Sequence, residues 1–426
     1  MVSREKWAEV IKDFHEKNLP KIIPRMQEIG FESDMKRAVS IIGPRRTGKT
    51  YEMYYLISKI KDKFGIDRAV YINFERADFG ILSYKDLVLM LETYYELYPK
   101  NKKEAIWLFL DEIQNVVEWE RFVRTCLDDG IRVFLSGSSS KLLSKEIATS
   151  MRGRNISYNI YPFSFVEYLI TKKFEIGKFY SSSEKSTLKN LFNEYLIFGG
   201  YPESIIYSNE REKIIKDIFD TAIYKDVIER NKVRNVNVMR LLIKVLLNSK
   251  EFSINKFYNY IKSQGIKVSK NALYNYSEYL GDAFFVFFLR KYDLSIKKRE
   301  QSLPKIYFID NGFLTLNGIE DKGRLLENLV FMELTRRNKD ISYYQNSLKE
   351  EVDFLVKEGK KVKQLIQVCY DLSNFMTLDR EIRVLIKASK EFECNNLVII
   401  SLDEEREEKV NGRVIKIIPV WKWLLE

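Results

Sequence analysis

The sequence predicts an α/β protein. A parallel sheet with helices on its faces comes first, then a mainly helical stretch, then a second α/β region. Three observations predict this. Short apolar runs alternate with longer helix-like patterns over residues 35–160, the order that buries a parallel sheet on both faces. The run Gly43-Pro44-Arg45-Arg46-Thr47-Gly48-Lys49-Thr50 stands between the first apolar run and a helix-like one. Beyond residue 312, helix and strand patterns alternate again.

Residues 3–34 read as amphipathic helices broken at Pro20 and Pro24 and ending at Gly30. The strands expected next are Ala38–Ile42, Ala69–Asn73, Ile106–Leu110, Ile131–Ser136 and Asn155–Ile160. Each is short, apolar and bounded by polar or turn residues. Residues 161–232 are mainly helical, with a turn at Phe198-Gly199-Gly200-Tyr201-Pro202. Three helix patterns follow, Val238–Asn248, Ser253–Ser263 and Lys270–Gly281, and then hairpin-like strands Phe284–Arg290 and Lys305–Ile309. That order is the order of a winged helix. The last region reads as helix Leu325–Arg337, strands Ser342–Gln345, Glu351–Val356 and Leu365–Val368, helix Asp379–Glu391, and strands Leu397–Ser401 and Val414–Pro419.

Composition narrows the classes. No apolar run approaches the ~18 residues a membrane span requires, so no membrane association is expected. Cys126, Cys369 and Cys394 are far apart and odd in number, which fits a reducing cytoplasm without disulfides or zinc spacing. The one histidine, His15, excludes a histidine metal cluster and is expected on the surface of the first helix. Of the net charge of +11, residues 233–300 hold 13 Lys and Arg against 5 Asp and Glu, a local +8. That concentration marks a polyanion contact.

The run at residues 43–50 matches G-x-x-x-x-G-K-[ST], the loop that cradles nucleotide phosphates. Gly43 and Gly48 let the backbone turn its N–H groups toward the anion, and the helix that follows adds its positive end. Lys49 is placed to reach the β- and γ-phosphates and Thr50 to bind Mg²⁺. The apolar strand Ile106–Leu110 ends in Asp111-Glu112. On a strand neighbouring the loop, Asp111 would hold the Mg²⁺ shell and Glu112 would orient the attacking water. At the end of the next strand Ser138, then Ser139, is the candidate that senses the γ-phosphate, against a plain capping turn. In Met151-Arg152-Gly153-Arg154, Arg154 (with Arg152 as alternate) is the candidate to stabilise transition-state charge. Glu75, just past the second strand, is expected to face the site.

The motifs G-P-R-R-T-G-K-T, L-F-L-D-E-I-Q, S-G-S-S-S, G-R and Y-P-F-S-F together resemble the prokaryotic, archaeal-type AAA-family ATPases near the origin-recognition and STAND branches. The resemblance continues through Phe198–Glu203, Ile223–Val227, Glu327–Val330 and Glu351–Phe354. It implies N-terminal helices (1–34), a P-loop ATPase core (35–160), a helical lid (161–232), a winged helix (233–312) and a restriction-endonuclease-like domain (313–426). In that last fold Glu327, Asp353 and Gln367 fall on metal-site positions. The third motif, Gln367-Val368-Cys369, lacks the lysine that would stabilise hydroxide, so a retained fold without cleavage is expected.

In the winged-helix region, Lys267, Ser269, Lys270, Asn271, Tyr274 and Asn275 lie on or just before the third helix, and Arg290, Lys291, Lys297, Lys298 and Arg299 in the wing. Such side chains contact phosphates and base edges. The expected function is an ATPase, with ATP and Mg²⁺, that controls a DNA-bound assembly. The alternatives are a STAND-like nucleotide switch that recruits a protein partner, and an ATP-gated nuclease. A kinase use of the loop would need an acceptor-binding motif, and none is seen. An arginine supplied in trans would require a homo-oligomer.

Overall fold

The computed structural model describes residues 2–32, 36–137, 151 and 153–426. Contacts divide the chain into two compact units, Met1–Tyr161 and Pro162–Glu426.

The first unit opens with a helix, Arg4–Glu16. Ser3 caps it, and Trp7, Val10, Ile11 and Phe14 form its buried stripe. One helix forms where several were expected. Past Lys17 no regular element appears up to Glu32, as the prolines dictate. Strands β1 (Ala38–Ile42), β2 (Ala69–Asn73), β3 (Leu82–Ser83), β4 (Trp107–Asp111), β5 (Val116–Val117), β6 (Arg132–Gly137) and β7 (Asn155–Asn159) follow in order. Five of them make one parallel sheet, β2-β4-β6-β1-β7. Helix Lys49–Phe64 lays Met53, Leu56, Ile57 and Ile60 on that sheet, on the one-face spacing of a helix. Ile41, Tyr71, Phe109, Phe134 and Ile160 share their core. Asp111 is not on the strand next to β1, as the sequence reading had it, because β6 lies between β1 and β4.

His15 is a correction to the sequence reading. Its ring is half-buried, with Nδ1 2.9 Å from the Tyr98 hydroxyl and Nε2 2.8 Å from the Ala69 carbonyl. A carbonyl only accepts, so Nε2 carries the proton and Nδ1 accepts from Tyr98. Burial holds the imidazole pKa below its ordinary value, against the pull of the Ala69 carbonyl.

The second unit begins with helices Phe165–Thr171, Ser182–Phe198, Pro202–Ile206 and Arg211–Thr221 and a π-helical stretch, Ala222–Glu229. These were expected as a lid. They share a core with the C-terminal region: Asn311 donates to the Leu196 carbonyl (2.8 Å), and Gly200 N–H donates to Asp310 (2.7 Å). The Phe198–Pro202 turn is explained by this contact. Gly199 has φ +74°, and a Cβ there would lie 1.7 Å from the Asp310 carboxylate.

Three helices follow, Val236–Leu247, Ile254–Ser263 and Lys270–Asp282, and then an antiparallel pair, β8 (Val286–Leu289) and β9 (Lys305–Phe308). A short helix, Ile296–Gln301, lies between the two strands. Beyond helix Lys322–Arg336 comes a six-stranded sheet. Its strands are β10 (Asp340–Gln345), β11 (Glu351–Glu358), β12 (Lys361–Cys369), β13 (Leu397–Ser401), β14 (Arg406–Val410) and β15 (Arg413–Pro419). They run in the order β10-β11-β12-β13-β15-β14, and helix Phe375–Glu391 packs Val384 and Leu385 against the sheet.

Candidate functional site

The phosphate loop joins β1 to helix Lys49–Phe64 at the C-terminal ends of the parallel strands, where open α/β sheets bind ligands. Gly43 is required there: a Cβ would lie 2.0 Å from the Ile160 carbonyl oxygen. Gly48 caps the helix with φ +96°. Thr47 Oγ1 donates to Pro44 O at 2.9 Å. The Lys49 ammonium is folded back across the loop, donating to the carbonyls of Gly43 (3.1 Å) and Pro44 (2.9 Å). It also lies 3.9 Å from Glu112. Arg45 pairs with Glu75 at 2.8 Å, so Glu75 does face the loop.

Although β6 intervenes, Thr50 reaches Asp111 from the first turn of its helix. Thr50 Oγ1 donates to Asp111 Oδ2 at 2.8 Å, and the Tyr71 hydroxyl donates to the same oxygen at 2.7 Å. Ser136 on β6 donates to Asp111 Oδ1 and accepts from Glu112 N–H at 3.0 Å. Glu112 has φ +55°, a left-handed conformation uncommon outside glycine, and the Gln114 amide holds its carboxylate. Burial pushes the Asp111 carboxyl above the usual carboxylate range, against its three hydroxyl donors. A buried carboxylate beside a threonine hydroxyl is the oxygen pair a hard divalent cation takes. The residues present therefore fit Mg²⁺.

Sequence reading missed Ser136 and Tyr71. Ser136 carried a signal as the one hydroxyl inside the apolar strand β6. Tyr71 gave no signal. Ser138, Ser139 and Arg152 lie outside the described residues. Arg154 does not lie at the phosphate loop of its own chain. It immediately precedes β7, its carbonyl accepts from Ala38 N–H at 3.0 Å, and its guanidinium pairs with Asp128. Ala38 begins β1, whereas the phosphate loop follows the end of β1. Five residues of strand, roughly 16 Å, separate Arg154 from a γ-phosphate in its own chain.

In the second unit, Glu327 and Asp353 do meet, around a residue the sequence reading overlooked. Lys305, at the start of β9, is buried. Its ammonium lies 2.9 Å from Glu327, 2.7 Å from Glu351 and 3.0 Å from Asp353. Gln367 is beside them but fully engaged: its Nε2 donates to Glu381 and to the Glu351 carbonyl, and its Oε1 accepts from Asp353 N–H at 3.2 Å. A cavity of about 530 Å³ opens on this cluster and is also lined by Lys250, Arg324, Lys349 and Arg380. The ammonium sits among the carboxylates that a metal would need. Among the described residues, no three His, Cys, Asp or Glu side chains converge as metal ligands. The cluster does not fit a metal.

Lys267, Lys270, Asn271, Lys297 and Lys298 are exposed, and Arg299 is partly so. Ser269 caps the third helix by accepting from Ala272 N–H. Lys297, Lys298 and Arg299 lie on the short helix between β8 and β9. Among the described residues, no helix is long and apolar enough to cross a membrane. All three cysteines are free.

A family profile described as "AAA domain" matches residues 35–169. Two domains of unknown function match residues 189–322 and 322–423. The uncharacterized protein MJ1544 of Methanocaldococcus jannaschii is 41% identical over 401 residues, covering 90% of this chain and 87% of that protein. An uncharacterized protein of Haemophilus influenzae is 26% identical over 437 residues, covering 100% and 99%. Among solved structures, the Walker-type ATPase of Pyrococcus abyssi aligns at a TM-score of 0.43 and 12% identity, over 75% of this chain and 96% of that one. The Aeropyrum pernix Orc1 protein, solved in complex with DNA, aligns at 0.31 and 12%, over 79% and 93%.

Proposed function

We propose that this chain, which belongs to the family of the Methanocaldococcus jannaschii protein MJ1544 and carries an AAA domain at residues 35–169, binds and hydrolyses ATP with Mg²⁺ and thereby controls an assembly on DNA. One observation carries the reading. Thr50 and Asp111 touch at 2.8 Å, with Glu112 adjacent in sequence and 3.9 Å from Lys49. These are the four side chains that phosphoryl transfer to water calls on, gathered at one sheet edge.

The loop amides of residues 43–50 receive the phosphates. Lys49 leaves the Gly43 and Pro44 carbonyls for the β- and γ-phosphate oxygens. Mg²⁺, when bound by Thr50 and Asp111, neutralises charge on the phosphates. Ser136 and Tyr71 fix the Asp111 carboxylate, and through its Glu112 N–H bond Ser136 also fixes the backbone that aims Glu112. Glu112 orients the attacking water. Arg154, a strand's length from the phosphate loop of its own chain, would serve as a cationic finger for the γ-phosphate only in the loop of a second copy.

The DNA side of the proposal rests on charge. The region with local charge +8 folds as three helices and a strand pair, the order of a winged helix. Lys267, Lys270, Lys297, Lys298 and Arg299 make no ion pair within the chain among the described residues. Cations left without internal partners suit a phosphate backbone. The restriction-endonuclease-like region serves as packing or binding surface, with Lys305 closing its acidic cluster.

The test is nucleotide binding and turnover on three proteins. Wild type should bind and hydrolyse ATP, Lys49→Ala should lose binding, and Glu112→Gln should bind but turn over about 10²–10⁴-fold more slowly. Normal turnover by Glu112→Gln would remove Glu112 from its role. No binding by wild type at millimolar Mg²⁺ would end the proposal.

A further inference from the structure

The sequence motif Tyr161-Pro162-Phe163-Ser164-Phe165 has so far been given no role. The first unit ends at Tyr161 and the second begins at Pro162. Within the first unit, Ile160 lies directly on the phosphate loop. Ile160 N–H donates to the Ile42 carbonyl at 2.6 Å, and the Ile160 carbonyl fills the space a Gly43 side chain would need. Arg25 adds a second tie. Its guanidinium Nη2 donates to the Thr47 carbonyl inside the loop and to the Tyr161 carbonyl at 3.0 Å. The same nitrogen lies 3.5 Å from where a Cβ on Gly48 would sit. One side chain from the irregular segment after the first helix therefore joins the phosphate loop to the last residue before the unit boundary.

The first two residues of the second unit are fixed as firmly. Pro162 O accepts from Arg336 at 3.1 Å. Phe163 N–H donates to Gly200 O at 2.7 Å, and Phe163 O accepts from Tyr195 at 2.7 Å. A Cβ on Gly200 would lie 2.3 Å from that same carbonyl. Ile160 and Tyr161 are thus held by partners of the first unit, and Pro162 and Phe163 by partners of the second.

Resting on the nucleotide-binding reading above, we infer that Arg25 is a positioning residue that makes the phosphate loop and the Ile160–Tyr161 junction, the end of the first unit, move as one body. Phosphates entering the loop act on the orientation of the Thr47-Gly48 peptide. That peptide's carbonyl is held by Arg25, and Arg25 holds Tyr161. A change in the loop is then transmitted to the Tyr161 carbonyl. Charged hydrogen bonds are the strong ones, so one guanidinium nitrogen that donates to both carbonyls is suited to this coupling.

Amide hydrogen exchange on the full chain tests it, first without nucleotide. In Arg25→Ala, peptides covering 43–50 and 158–163 should both exchange faster than in wild type, with the β4 peptide unchanged. Wild-type exchange in either peptide would overturn the inference. In the second arm, ADP and a non-hydrolysable ATP analogue are added and binding is measured separately by calorimetry. Wild type should bind and gain protection at both peptides. Arg25→Ala should bind about tenfold more weakly and, at saturation, gain protection in the loop but not at the junction. Junction protection equal to wild type would overturn the inference. Should wild type bind no nucleotide, the second arm overturns transmission together with the ATPase reading, while the first arm still decides whether Arg25 ties the two peptides. If Arg25→Ala does not fold, Arg25→Met serves in both arms, since it keeps most of the side-chain length but has no donor.

Discussion

The Lys305 ammonium lies 3.0 Å from Asp353, and the same nitrogen also serves Glu327 and Glu351. The lysine therefore neutralises part of a cluster of three buried or half-buried carboxylates. Burial pushes the Asp353 carboxyl upward against the pull of Lys305, and the Glu327 carboxylate adds to the push. Lys305→Met should destabilise the second unit by about 3–5 kcal/mol, because it leaves carboxylates buried without their cation. Urea unfolding measures this. Adding Asp353→Asn should recover part of the loss, and two strictly additive losses would show that the groups do not act as one cluster.

Ser136 and Tyr71 set the Asp111 carboxylate by direct hydrogen bonds. Ser136→Ala should lower kcat about tenfold or more through Glu112, whose N–H loses its acceptor, with a smaller effect on KM. Steady-state kinetics separate the two. A change confined to KM would assign Ser136 to ground-state binding alone.

His15 makes the first unit acid-sensitive. Its folded pKa is depressed by burial, so the folded state favours the neutral ring, whereas the unfolded chain takes up a proton near the ordinary value of 6.5. Stability from this group is present above about pH 6.5 and is lost as pH falls through the lower, folded value. Urea midpoints at pH 8, 7, 6 and 5 should fall over the acidic steps, and His15→Gln should flatten that fall. An unchanged slope in the variant would locate the sensitivity elsewhere.

Gly199 should tolerate no side chain. Gly199→Ala combines a left-handed φ with a Cβ 1.7 Å from Asp310, and a loss upwards of about 4 kcal/mol is expected. Thermal unfolding should show the second unit melting far earlier, and a shift of a degree or two would mean the turn relaxes freely.

Binding to duplex DNA should weaken steeply with salt. Replacing Lys297, Lys298 and Arg299 by Gln should reduce the slope of log K against log salt by about 2–3. Salt-independent binding would exclude this mode. No DNA binding, with assembly that changes on ATP, would favour the STAND-like switch instead.

Strands β1, β2, β4 and β6 of the parallel sheet were legible because they are largely buried on both faces and so read as nearly unbroken apolar runs. The charged edge strand β14, Arg406-Glu407-Glu408-Lys409-Val410, was not. An edge strand with charged side chains carries no apolar signature, and that composition also discourages edge pairing. The phosphate loop, Thr50, Asp111 and Glu112 were readable because their chemistry is fixed by local spacing. Lys305 was not, because its partners lie 22 to 48 positions away and its own neighbours read as an ordinary apolar strand. The place of Arg154 was hidden for a related reason, since sequence spacing does not tell which end of β7 the side chain occupies.

The folded-back posture of Lys49 has a consequence for ligand binding. Its ammonium is already satisfied by two carbonyls of its own loop, so an incoming anion must outbid them. On the ATPase reading the ammonium trades those two carbonyls for phosphate oxygens, so the charge that grips the ligand is already stored inside the loop before the ligand arrives.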